Sequence, residues 1–384
     1  MPPAAQRLTL PALNRALLAR QGLLDRLEIP PTQIAEAVEA IGALQAQYWP
    51  ALPVALWSRV QGFAAEDLYS ALERRELVLG ILLRGTLHLV SAREHPDYSQ
   101  VVEESGANDW RRTAAELSPE SARLRAEFLA YTASPRSREE LAAFIEAWIA
   151  DHPGAIDEAE VAAQRSFQWR PFYRWSAPVR TPADGRWGAK TPEALLAAPR
   201  PPAPNPEAAL AAVLRRHLRA FGPAAAEDVA GWIGLGTPRV RAALERLGPE
   251  LVRFEDEDRR TLYDLPAAPR PDPQVPAPAR FLPSFDSTLL AYAAKGRARA
   301  RLVPAVCREP IYARGNLRIL PTFLVDGKVA GTWAVAVRRR EATLTLTPCV
   351  PLARAARTAV VEEGERLLRF SEPRALAHRV VFET

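Results

Sequence analysis

Gln45 and Gln47 stand one residue apart in the stretch ALQAQYWP (43–50), where an apolar helical pattern runs out before Pro50. A buried amide has to find several hydrogen-bond partners, so two of them in this setting ask for a reason. Glutamine does not titrate near neutral pH, and neither residue can serve as a general base. Two amides can instead hold a water and aim their dipoles at developing charge. Hydrolysis run on such groups needs a leaving group already primed to depart. On a regular helix, residues i and i+2 lie about 200° apart. The two amides would then share a site only if the helix ends there or a pocket wraps its tip. The plainer reading is a pair of amides capping backbone groups at a helix end.

A second polar series is LLRGTLHLV (82–90), which sets Arg84, Thr86 and His88 at alternate positions, on one face of a strand. That face is either a cavity wall or the wet side of a half-exposed hairpin. Tyr48, Trp49 and Trp57 lie close to the amides and could stack on a nucleobase, although core packing is the commoner task of such rings. Other chemistries lack their signatures. There is no phosphate-binding glycine loop, metalloprotease histidine pair, zinc-ligand array or nucleophile elbow. The five histidines are scattered, which argues against a multi-histidine metal site. Neither a metal nor an organic cofactor is expected. Cys307 and Cys349 have no metal-ligand spacing and are expected as reduced thiols.

The elements that must position these residues come from a chain of 384 residues, long enough for several modules. With 48% hydrophobic and 25% charged residues, a sizeable core is within reach. No apolar run is long enough to span a membrane, and the N-terminus lacks an apolar signal core, so a cytoplasmic protein is expected. The net charge of +5 favours a polyanionic partner. Lysine occurs only at Lys190, Lys295 and Lys328, so the basic charge is arginine and its placement matters more than its abundance.

Proline-rich connectors at 199–206 and 266–279 divide the chain. Between them the pattern predicts helices over 206–221, 224–234 and 237–248, the last with Thr237 as N-cap and Pro238 in its first turn, then a hairpin over 251–265. Helix, helix, helix, hairpin is the order of a winged helix. The same order fits 10–22, 31–44, 64–76 and a hairpin over 77–90 broken at Arg84-Gly85. It fits again over 137–150 and 158–175, with a wing over 176–189 turning at Asp184-Gly185. Alternation over 316–352 predicts an antiparallel meander, a small barrel or curled sheet, closed by a helix over 358–371. The expected fold is therefore α+β. Winged-helix modules span 8–100, 101–198 and 206–266, and a β-barrel-like domain with a closing helix spans 280–384.

Arginines gather in two places. Arg215, Arg216 and Arg219 lie on the first helix of the 206–265 unit, and Arg239 and Arg241 open its third, the end that enters a groove in helix-turn-helix docking. A second group comprises Lys295, Arg297, Arg299, Arg301, Arg308, Arg314 and Arg318. Both suit phosphate contacts, or a solvated basic surface.

The blocks LNRALLARQGLL, IGALQAQYWP, LWSRVQGF, LLRGTLHLV, FLPSFDSTLL and TFLVDGKVAGTW together resemble the AlkZ/YcaQ superfamily of DNA glycosylases, from about residue 8 to residue 370. The resemblance implies tandem winged helices around a β-barrel, C-shaped overall, forming a DNA-binding channel. It implies removal of alkylated purines, in some members the unhooking of interstrand crosslinks. The family's catalytic element is glutamine, an apolar residue, then glutamine in the AlkZ-like branch or aspartate in the YcaQ-like branch. Gln45-Ala46-Gln47 matches the first form. A purine alkylated on its imidazole ring is cationic and leaves neutral, which fits two amides that cannot protonate it. The implied protein is a monomeric, monofunctional N-glycosylase without cofactor, in the cytoplasm and at the nucleoid of a bacterium. Its partner is double-stranded DNA containing alkylated purines, with no obligate protein partner. Gln45 and Gln47 would hold the water, and Arg84, Thr86, His88, Arg239, Arg241 and Arg314 would line the site or contact DNA. Two rivals stay open: a non-catalytic winged-helix regulator or drug-sequestering resistance factor, and a protein-interaction module with no salt-dependent DNA binding.

Overall fold

The computed structural model describes residues 6–111, 118–293, 297–313 and 318–383. Helix α1 (Leu10–Arg20) is capped by Thr9, whose hydroxyl accepts the Ala12 N–H at 3.3 Å. Helix α2 (Ile34–Ile41) buries Ile34, Ala37, Val38 and Ile41 along one stripe. It stops at Gly42, φ +84°, where a β-carbon would also crowd Ala220 and Phe221 at 3.0 Å. The chain then turns into the short strand β1 (Leu44–Gln45), so the helix expected over 31–44 ends early. Helix α3 (Ala51–Trp57), absent from the sequence expectation, leads to α4 (Ala65–Glu73) and the hairpin β2 (Leu77–Ile81) and β3 (Leu87–Ser91).

The middle segment runs α5 (His95–Arg111), α6 (Pro119–Tyr131), α7 (Arg138–Asp151), α8 (Glu158–Ser166), α9 (Arg170–Ser176), β4 (Val179–Thr181) and β5 (Ala194–Leu196). The helix expected over 158–175 is broken at Gln168 and Trp169, both at positive φ. The wing expected within 176–189 is placed differently, because β4 pairs with β2 on one side and with β5 on the other. One sheet of order β1-β3-β2-β4-β5 therefore joins the first and middle segments.

Over 206–265 the elements follow the expected order: α10 (Pro206–Phe221), α11 (Ala226–Ile233), α12 (Thr237–Arg246) and the hairpin β6 (Val252–Glu255) and β7 (Thr261–Asp264). Asn205 caps α10, accepting from the Glu207 and Ala208 N–H groups at 3.0 Å. The N-cap of α12 is Gly236 rather than Thr237. Helix α10 sends Leu210, Val213, Leu214, Leu218 and Phe221 into the largest core.

The C-terminal part contains β8 (Arg280–Leu282), α13 (Ser287–Leu290), α14 (Ala305–Ile311), β9 (Tyr312–Ala313), β10 (Arg318–Ile319), β11 (Thr322–Val325), β12 (Lys328–Arg338), β13 (Glu341–Pro348), α15 (Arg354–Ser371) and β14 (Ala377–Phe382). The expected barrel does not close among the described residues. The sheet is open, in the order β14-β13-β12-β11-β8, with β14 parallel to β13. Instead of curling on itself, it is covered by α15, whose Val360, Leu367 and Leu368 share a core with Phe281, Phe323 and Leu344. The two cysteines, expected as thiols, are joined as a disulfide between α14 and the residue after β13, with Cα atoms 5.4 Å apart.

Two ion pairs shut away from water tie distant segments together. Arg59, just after α3, donates to Asp286 at 2.8 Å, and both side chains are 0% exposed. Arg20, ending α1, donates to Asp264 at 2.7 Å. Ser58 also donates to the Phe281 carbonyl, so the end of α3 is fastened to strand β8 and to the cap of α13.

His217 of α10 lies between the rings of Trp232 (4.9 Å) and Phe221 (5.3 Å), and neither ring nitrogen has a partner among the described residues. Burial, reinforced by Arg301 and Arg84, pushes its pKa from 6.5 down to about 3. The unfolded chain takes up this proton near pH 6.5 and the folded chain only near 3, so stability is lost as pH falls through that window. A His217→Phe variant is expected to narrow the stability difference between pH 7 and pH 5 by about 2 kcal/mol, read from urea unfolding at the two pH values.

Candidate functional site

Strand β1 exists because β3 pairs with it, Leu44 facing Leu89 and Gln45 facing His88. The Ala46 N–H continues the ladder to the Leu87 carbonyl at 2.7 Å. On an extended chain, residues i and i+2 point the same way. Leu44 and Ala46 are buried in the core of the first segment, while Gln45 is half-buried and Gln47 exposed. The 200° separation that a helix would impose therefore does not arise. Gln45 stands on the strand face away from that core, and Gln47 follows in an exposed bend just beyond the strand.

Gln47 lines a cleft of about 860 Å³ together with Tyr48, Val54, Phe285, Arg318 and Trp333. Gln45 lines an adjoining recess of about 10 Å³, enough for roughly one water. Both share the wall formed by Ala51, Pro283, Ser284 and Phe285. Phe285 sits at φ +58°, a conformation costly for a side chain of its size. Ser287 fastens β1 to this wall: its hydroxyl donates to the Ala43 carbonyl at 2.9 Å and accepts the Gln45 N–H at 3.3 Å. Ser287 and Asp286 escaped the sequence reading. The Asp-Ser-Thr turn opening α13 was their only local signal, and the Arg59 partner lies 227 residues away.

Arg84, at the β2–β3 turn, points inward. Its guanidinium donates to Gln45 Oε1 at 2.9 Å and to the Trp232 carbonyl. Burial, with Arg299 nearby, lowers its pKa to about 10, and it remains charged at neutral pH. Thr86 is half-buried and donates to the Leu83 carbonyl at 3.1 Å, closing the turn. His88 is buried on the face it shares with Gln45. Its Nδ1 donates to the Thr86 carbonyl at 2.9 Å, which leaves Nε2 as an acceptor. Burial and Arg84 push its pKa down to about 3, so the ring is neutral. The three alternate residues of LLRGTLHLV therefore do not share one strand face: Arg84 and Thr86 lie in the β2–β3 turn, and His88 alone is in a strand, with Arg84 and His88 next to Gln45.

The arginine groups are more internal than composition suggests. Arg216 pairs with Glu94 at 2.8 Å and Asp97 at 2.6 Å, and Arg215 with Glu250 at 2.8 Å. On α12, Arg239 pairs with Glu207 at 2.6 Å and Arg241 with Glu227 at 2.5 Å, both at the surface. Arg301 is wholly buried over the Tyr292 ring, and Arg299 lies over Tyr312. Lys295 and Arg314 lie outside the described residues. Trp49 is core, donating to the Gly188 carbonyl at 2.9 Å, and Trp57 stacks on Phe370. Of these three rings, Tyr48, 53% exposed, is the one that lines the cleft.

Asp286→Ala is expected to cost about 3–5 kcal/mol, because it strands the Arg59 charge in the interior. Ser287→Ala, which removes neutral hydrogen bonds alone, is expected to cost about 1 kcal/mol. Chemical denaturation of the two variants checks both numbers.

A family model described as "DNA glycosylase AlkZ-like" matches residues 38–370. A curated relative, "Interstrand DNA cross-link repair glycosylase" of Streptomyces sahachiroi, is 28% identical over 182 residues. That alignment covers 46% of this chain and 47% of the relative, so the chain spans about half the length of the curated relative it matches. Among solved structures, Streptomyces sahachiroi DNA glycosylase AlkZ superposes with a TM-score of 0.75 at 21% identity, over 98% of this chain and 100% of that one, a likeness of fold. No helix among the described residues is long and apolar enough to cross a membrane. With the family model matching most of its length, the chain belongs to the AlkZ-like DNA glycosylase family.

Proposed function

We propose that this protein hydrolyses the N-glycosidic bond of purines in duplex DNA that alkylation has made cationic, including bulky and crosslinking adducts. The observation that supports the reading is that Gln45 and Gln47 line adjoining spaces with a common wall of Ala51, Pro283, Ser284 and Phe285. A water held there attacks the sugar C1′. The C1′–N bond breaks, and its electron pair neutralises the cationic ring, which leaves as a neutral base. The proton released from the water passes to solvent. No group needs a pKa near 7, in keeping with amides that do not titrate and a neutral His88. The Gln47 carbonyl, not engaged by a protein donor among the described residues, is the dipole that favours the oxocarbenium-like transition state. A cleft of about 860 Å³ is of a size that takes drug-sized ligands, so a bulky adduct fits the same site.

DNA would reach the cleft past the β12–β13 hairpin. Trp333, Val335 and Val337 of β12 line the cleft. At the hairpin tip stand Arg338, Arg339 and Arg340, the last two in the left-handed turn conformation. Arg239 and Arg241 pair with surface carboxylates, weak contacts that phosphates can replace.

Base release from duplex DNA containing methylated or crosslinked guanine is the direct test. Wild-type protein releases the base, and the Gln45→Ala, Gln47→Ala double variant loses at least about 100-fold in rate. Unchanged release by that variant rejects the assignment, and tight binding of an undamaged operator without release favours a non-catalytic regulator. The Arg339→Ala, Arg340→Ala variant should lower the slope of log K against log salt by about 2, measured by fluorescence anisotropy on undamaged duplex.

A further inference from the structure

Arg84 holds a conformation that side chains avoid, φ +57°, at the tip of the β2–β3 turn. The end of α11 is shaped around it. A β-carbon at Gly234, itself at φ +88°, would stand 3.2 Å from the Arg84 backbone N and Cα and 3.3 Å from its Cγ. The guanidinium is held at two points, by the Trp232 carbonyl and by Gln45 Oε1 at 2.9 Å. Arginine donates only, so the Gln45 atom facing it has to be the carbonyl oxygen. A rotation of the amide by 180° would set two donors against each other. The Gln45 backbone is fixed as well, by Ser287 and by the ladder to β3.

Gln47 has none of this. It is exposed, beyond the last residue of β1, and its side chain makes no hydrogen bond among the described residues. The two amides are therefore unequal. We propose that Arg84 is a positioning residue of the glycosylase reaction: it locks the amide of Gln45 in one orientation, so that Gln45 is the fixed reference and Gln47 the adjustable acceptor for the water. The inference rests on the glycosylase reading above. Arg84 then acts through Gln45 and not through a DNA phosphate. A lysine would keep the charge, but it lacks the planar fork that reaches both acceptors.

A double-mutant cycle read by single-turnover base release from duplex containing methylated guanine tests this. Arg84→Ala should slow release about 10- to 100-fold, with affinity for undamaged duplex and its salt slope unchanged. In a Gln45→Ala background the same change should cost less than about twofold. Millimolar guanidinium ion should restore part of the rate to Arg84→Ala and none to the double variant. Arg84→Met, which keeps the stem packed against Gly234, should behave as Arg84→Ala and separates loss of the hydrogen bonds from loss of folding. Multiplicative losses from Arg84→Ala and Gln45→Ala overturn the positioning role, as does a salt slope lowered by about 1, the mark of a lost phosphate contact. If wild-type protein releases no base, the glycosylase reading falls and takes this role with it. Release by wild type with multiplicative losses overturns the positioning role alone.

Discussion

The Arg59–Asp286 ion pair, with both side chains out of water, is the constraint on which the geometry around Gln45 depends. Removing two charges from water is expensive, and such a pair adds little net stability. Its effect is to exclude alternatives. Any arrangement that parts α3 from the 283–288 segment leaves a bare charge in the interior. Asp286 also caps α13, accepting from the Thr288 N–H at 3.0 Å, so the turn carrying Ser287 is fixed in the same act. Ser287 in turn sets β1. A strand two residues long would otherwise have little to hold it. The site is thus assembled by contacts between residues from about 40 to more than 200 positions apart.

That distance explains how much of the molecule was legible beforehand. Elements that rest on local periodicity and capping, such as α10 behind Asn205 or the hairpin after α12, follow from their own residues. β1 does not. Its extended form comes from pairing with β3, some 40 residues on, and the apolar pattern before it reads as continuing helix. The glutamine pair was visible as an oddity, while the strand that takes Gln45 out of the helix was not. The barrel expectation failed for a related cause. Alternation marks strands, but whether the sheet closes is decided by what covers it, and here α15 does.

Charge was a weaker guide than composition suggested. A chain rich in arginine reads as a nucleic-acid binder, yet Arg20, Arg59, Arg216 and Arg301 serve the interior, each with a carboxylate, a carbonyl or a ring in reach. A planar group with five donors can satisfy several buried acceptors at once. Arginine therefore acts in this fold as an internal cross-brace. At the β12–β13 tip, by contrast, its charge faces outward.

The end of β1 at Gln45 has an evolutionary consequence. Position 47 projects past the last ladder contact, so its side chain can change without disturbing the strand, the serine clamp or Arg84. Position 45 has no such freedom, since a different side chain would leave a buried guanidinium facing the wrong atom. Within one scaffold, the first glutamine is mechanically committed and the second is open to exchange.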